Sequence, residues 1–171
     1  RDQQVEQILD ASREFVITID RNETLSIVNE IARRKLGFKP GMVFRDLLDP
    51  TDVKHTTSFL YSLSKISSSS NINLILLHPV NRQRFYLSGS VSSTVAEGIL
   101  VNFRLILHDV TEKTKTEKAR DLYYSIAHHS IHSKNLDELY YNIHKELKAV
   151  VDCENLYIAL IEEVSEDKFI T

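Results

Sequence analysis

The sequence predicts an α+β protein: a five-stranded antiparallel sheet with short helices on one face, then a long linker helix and an incomplete helix-strand segment. Period-two alternation recurs in Phe15, Ile17, Ile19, in Leu25, Ile27, in Ile72, Leu74, Leu76, in Phe85, Leu87, Gly89, Val91, and in Ile99, Val101, Phe103, Leu105, Leu107. That is the mark of strands with one face on a core. The second observation is their order: two strands, short helical stretches, then three strands joined by hairpins. The third is a change of period at Asp109-Val110-Thr111, beyond which Glu112 to Arg120 are mostly charged helix formers. Apolar residues then return at helical spacing.

The elements follow in order. Val5, Ile8 and Leu9 among polar neighbours predict a short amphipathic helix with a narrow stripe. Arg21-Asn22-Glu23-Thr24 turns the first hairpin between Asp20 and Leu25. Asn29 caps a helix from Glu30 to Leu36, and Gly37 ends it in the left-handed conformation that a β-carbon disfavours. After the Pro40-Gly41 turn, Val43, Phe44, Leu47 and Leu48 form a second apolar helical turn. Asp49-Pro50-Thr51-Asp52 opens a third helix, with proline at its first position and Val53, Leu60, Leu63 and Ile66 turned inward. Ser67 to Ser70 read as a flexible loop. In the last two strands the odd-numbered residues form the buried set, against Tyr86, Ser88, Ser90 and Ser92.

This order resembles the PAS family from about Ala11 to Glu112. The resemblance is carried by the opening hairpin to Asp20, the Asn29…Ala32…Leu36-Gly37-Phe38 helix, and the Phe44-Arg45-Asp46-Leu47-Leu48-Asp49-Pro50 connector. Asp109-Val110-Thr111 closes it, similar to the family's Asp-Ile-Thr signalling motif. Past Glu112, Ala119, Leu122, Ile126 and His129 keep the three-four spacing of a coiled-coil seam. Asn135 with Glu138 makes a capping pair for another helix whose face is Leu136, Leu139, Tyr140, Ile143, Leu147 and Val150. Leu156 to Ile161 reads as a strand, and this segment resembles the start of a GAF domain. The division is an N-terminal helix at 1–13, a PAS domain at 14–112, a helical linker at 113–133 and a GAF-like fragment at 134–171.

Composition narrows the function classes. Of 171 residues 42% are hydrophobic, sufficient for a proper core. The net charge is −3 with both signs interleaved, so neither nucleic acid nor an anionic membrane has a basic field to meet. A single cysteine, Cys153, excludes an internal disulfide framework and fits a reducing compartment. No apolar run approaches the ~20 residues that span a bilayer. The expected location is cytoplasmic, and the chain reads as an internal piece of a longer protein.

Candidate chemistry is sparse. His128, His129 and His132 cluster on one helix, but the zinc-protease pattern needs glutamate after its first histidine, and here that residue is His129. Ala127-His128-His129-Ser130-Ile131 also lacks the Ser-His-Glu-Leu-Arg-Thr-Pro-like surroundings of a phospho-accepting histidine, and the four glycines are not in phosphate-cradling order. No catalytic frame is present, so the fragment is expected not to be an enzyme. The PAS resemblance raises the question of a cofactor. A flavin adduct is excluded because the PAS region has no cysteine, and His55 reads as an exposed first-turn histidine rather than a haem ligand.

Ile17, Ile19, Phe44, Leu48, Leu60, Leu76 and Leu87 either line a pocket for a small organic ligand or simply fill the core. Asp109 and Thr111 are the expected relay, each capping amides of the helix that follows. Val5, Ile8, Leu9, Ala119, Leu122 and Ile126 are the expected seam of a homodimer. The resulting reading is a sensory, relaying and dimerising region of a bacterial signalling protein, of sensor histidine kinase type, acting on downstream domains of its own polypeptide. Its rival is a PAS scaffold that dimerises without a ligand.

Overall fold

The computed structural model describes residues 13–150. The expected helix of Val5, Ile8 and Leu9, the strand from Leu156 and Cys153 lie outside them. The chain divides into two compact units after Thr114.

The first unit is one antiparallel sheet of β1 (Phe15–Asp20), β2 (Leu25–Val28), β3 (Ser68–Leu77), β4 (Arg84–Ala96) and β5 (Ile99–Asp109). Its spatial order is β2-β1-β5-β4-β3, so the first and last strands are neighbours, with Phe15 opposite Leu107. Between β2 and β3 run α1 (Glu30–Leu36), α2 (Phe44–Leu47) and α3 (Val53–Leu63). Phe15, Ile17, Ile19, Leu87, Val91, Leu105 and Leu107 are fully buried from the sheet side; Ala32, Leu36 and Phe44 close the core from the helix side. Complete burial of one such side chain is worth about 1.5–3 kcal/mol. The inward set on β4 and on the later part of β5 is the odd-numbered one, as the alternation predicts.

Caps behave locally as their residue types require. The Asn29 carboxamide accepts from the Ala32 amide and also from Val16 of β1, tying α1 to the sheet. Gly37 ends α1 at φ 73°, a conformation that favours glycine, and a β-carbon there would stand 2.5 Å from the His78 imidazole, which would have to shift. Gly89 permits β4 to approach β5, since a β-carbon would meet the Ile106 carbonyl at 2.0 Å.

Several expectations are corrected. Ile99 and Val101 are exposed at 59% and 44%, not core. A bulge in the β4–β5 pairing reverses the alternation there, and Leu100 packs on the core instead. Ile27 is exposed for the same reason: the β1–β2 register shifts beside it, and Val28 takes the inward place. Val43 is exposed while its neighbour Phe44 is buried. The serine run is not a loop. Ser68, Ser69 and Ser70 pair with Ser93, Ser92 and Val91, while the Ser93 hydroxyl donates to the Ile66 carbonyl and accepts from the Ser68 amide. Hydroxyls that bond backbone groups stabilise a stretch with no apolar side chain to bury. The third helix starts at Val53, not at Pro50, and ends before Ile66, which is 70% exposed. Asp52 does not cap it; its carboxylate accepts from the Ile75 amide of β3.

The second unit contains most of α4 (Thr111–His132) and α5 (Leu136–Val150). The Asn135 side chain accepts from the Glu138 amide at 2.8 Å, and Glu138 accepts from the Lys134 amide at 2.9 Å, a capping box closed one residue early. Leu136, expected on the buried face, is exposed at 55%, because it is the first residue of its helix. Leu139, Tyr140, Ile143 and Leu147 are half-buried. Among the described residues no helix is long and apolar enough to cross a membrane.

Candidate functional site

Two features of the first unit combine geometry with chemistry: a cleft between the sheet and its covering helices, and the junction where β5 becomes α4.

The cleft measures about 520 Å³, within the range that takes a small organic molecule. Its apolar floor is Ile19 of β1, Phe44 of α2, Leu48, Leu60 of α3, and Leu100 and Phe103 of β5. The β4–β5 bulge is what turns Leu100 inward to join that floor. Of the seven residues expected around a pocket, Ile19, Phe44, Leu48 and Leu60 meet here. Ile17, Leu76 and Leu87 do not; they are at most 1% exposed in the close-packed core. Leu100 and Phe103 were missed as lining residues, although Phe103 sits in an alternation legible from the sequence.

The rim is polar. Asp20, Arg21 and Glu23 come from the β1–β2 turn, Arg45 from α2, and Thr57, Tyr61 and Ser64 from the α3 side. Arg45 grips Glu23 with two parallel contacts, Nε to Oε2 at 3.2 Å and Nη2 to Oε1 at 3.0 Å. Both side chains are about half exposed. Glu23 has φ 62°, a left-handed conformation in which a residue with a β-carbon is strained. Its amide donates to the Asp20 carbonyl, and its own carbonyl accepts from the Phe44 amide. The Asp20 carboxylate accepts from the Asn22 and Thr24 amides. No histidine or cysteine is among the residues that line the cleft. His55 is exposed on the far side of α3, beside Asn71 and Asn73.

At the junction, the Asp109 carboxylate accepts from both the amide and the hydroxyl of Thr111. The buried Thr111 hydroxyl accepts in turn from the Tyr86 amide of β4, and the Val110 amide donates to the Tyr86 carbonyl. This corrects the expected capping role of Thr111: its oxygen ties the start of α4 sideways to β4, and only Asp109 reaches a following amide. The same device stands earlier in the chain. Asp49 accepts from the amide and hydroxyl of Thr51, and its other oxygen meets Arg84 Nε at 2.7 Å. Burial by itself would raise the Asp49 carboxyl; the Thr51 hydrogen bonds and the Arg84 guanidinium outweigh it and hold the group below its ordinary value.

In the second unit His128 and His132 stack at 4.2 Å, and His129 stands 3.6 Å from Glu146. Among the described residues no three His, Cys, Asp or Glu side chains converge as metal ligands do. Of the expected seam, Ala119 is exposed and Leu122 and Ile126 are half-buried; Tyr123, Tyr124 and Ile131 are the large exposed residues of α4.

No family model matches the sequence, and no curated protein matches it. Solved structures do. A PAS domain from Colwellia psychrerythraea is similar at 17% identity and TM-score 0.55, over 64% of this chain and 97% of that one. A PAS domain of an HTR-like protein from Haloarcula marismortui is similar at 15% identity and TM-score 0.51, over 63% and 90%. The LOV protein of Rhodobacter sphaeroides is similar at 13% identity and TM-score 0.52, over 86% and 91%. At these identities the likeness speaks for the fold alone. Together with the strand order and the helices between β2 and β3, it establishes that the first unit has the PAS fold.

Proposed function

We propose that this chain is the sensory and relay region of a multidomain signalling protein. A small organic molecule in the cleft biases the β5–α4 junction, and α4 carries the change to domains of the same polypeptide. The observation behind this reading is that β5 serves both places: Leu100 and Phe103 floor the cleft, and the same strand ends at Asp109. Loss of a helix cap costs about 0.5–2 kcal/mol, comparable with the free-energy gap between two functional states of one protein. A modest shift of β5 therefore suffices to redistribute them. In the same proposal the first unit performs no catalysis, α4 pairs with a second copy along Ala119, Leu122 and Ile126, and α5 opens a GAF-like domain. The parent is of the cytoplasmic sensor histidine kinase type.

The test fills the cleft from its half-exposed helix side with Thr57→Trp and follows hydrogen exchange of residues 111–120. Exchange there should change severalfold, with the core amides of β1 and β5 still protected. Unchanged exchange at the junction, in a variant whose cleft is demonstrably filled, refutes the relay.

A further inference from the structure

The cleft carries its own carboxylate. Glu23 sits on the rim in a strained left-handed conformation, and its side chain presents two oxygens to the planar fork of Arg45, the geometry with which arginine recognises an acid. Arg45 is not buried in this pair; it remains half exposed at the mouth, within reach of anything seated on Phe44 and Leu48. The rest of the rim is balanced between Arg21 and Asp20. Arg21 lines it, Lys65 Nζ stands 5.6 Å above the ring of Tyr61, and the Asp20 carboxylate is already engaged by two backbone amides.

We propose that the ligand of this cleft is a small amphipathic acid. Its aromatic or aliphatic body lies on the apolar floor, and its carboxylate takes Arg45 from Glu23. The exchange gives up a half-exposed, weak ion pair for one shielded by the ligand's own body, so the arginine is never left without a partner and the acid keeps a net gain over a neutral ligand. What the ligand adds is burial of its apolar body. What it releases is the Glu23 side chain from the lip. This rests on the cleft being the sensory site.

Three near-isosteric indoles test it on the whole chain: indole-3-acetate, its alcohol tryptophol and its amine tryptamine, each titrated by calorimetry. The acid should bind on the order of tenfold more tightly than the alcohol, since a charge-assisted pair outweighs a neutral one, and the amine should bind most weakly. Glu23→Gln removes the internal competitor and should tighten the acid severalfold without changing the alcohol. Arg45→Gln should erase the preference for acid over alcohol while alcohol binding persists. Both side chains are on the surface, and an unchanged thermal midpoint shows that the variants are folded. Equal binding of all three indoles overturns the acid reading and leaves the sensory cleft standing. Binding of none overturns both.

Discussion

The first unit uses one three-residue device twice, and it anchors the two copies by opposite members. In Asp49-Pro50-Thr51 the carboxylate is the buried partner, at 1% exposure, and Thr51 faces solvent. In Asp109-Val110-Thr111 the threonine is buried, at 7%, and the aspartate is exposed. Within each, aspartate accepts from the amide and hydroxyl two residues on. The strand β4 meets both copies near its start, through the Arg84 side chain and the Tyr86 backbone. The difference teaches which copy is built to hold and which to give. A buried charge with three polar partners is costly to disturb, whereas an exposed carboxylate loses little when its bonds to threonine are exchanged for water.

The largest expected effect is from Asp49→Ala. It removes a charged acceptor from Thr51 and Arg84 and should lower stability by about 2–3 kcal/mol, a fall in thermal midpoint of roughly ten degrees or more for a unit of this size. Asp49 also gives the stability of this unit a pH dependence. Its folded carboxyl ionises more readily than the unfolded one, so its stabilisation is complete above about pH 4 and fades as pH falls through the lowered folded value. Urea titrations of wild type and Asp49→Asn should therefore differ most near neutrality and converge at low pH. A gap that widened on acidification would reverse the sign of this argument.

Thr111→Val comes next, at about 1–2 kcal/mol, because it preserves shape while removing the hydroxyl to which the Tyr86 amide donates in a partly buried place. Asp109→Ala should cost about 0.5–1 kcal/mol, yet it should change the exchange of residues 111–120 more than Asp49→Ala does. If Asp49→Ala disturbs those amides more, the division between holding and yielding copies is wrong. Thr51→Val is the smallest, at about 0.5 kcal/mol or less, since the Asp49 carboxylate keeps the Thr51 amide and Arg84 when the hydroxyl is lost.

Most of the sheet was legible because alternation reports burial directly, and it failed where the backbone changed phase. Nothing in the identities of Ile99 or Val101 reveals that a bulge exposes them, because a bulge is a property of two strands in register and not of one segment. The serine run was misread because turn formers and hydroxyl-bonded edge strands share a composition. In the cleft, apolar identity located Ile19, Phe44, Leu48 and Leu60 but could not separate them from Ile17, Leu76 and Leu87. Whether an inward residue meets another side chain or a cavity depends on distant elements. The Glu23–Arg45 pair, 22 positions apart, leaves no periodic trace at all.

The adjacency of β1 and β5 has a consequence for how the chain acquires this structure. Phe15 waits for Leu107, about ninety residues later, before β1 has both of its neighbours. The β3–β4–β5 meander closes through short hairpins, whereas β1 and β2 join the sheet only through that late pairing. During synthesis the first hairpin therefore emerges with one long edge open, and the strand that ends at the junction is also the one that completes the sheet. Until Leu100 and Phe103 have been made, the cleft has no floor on its β5 side.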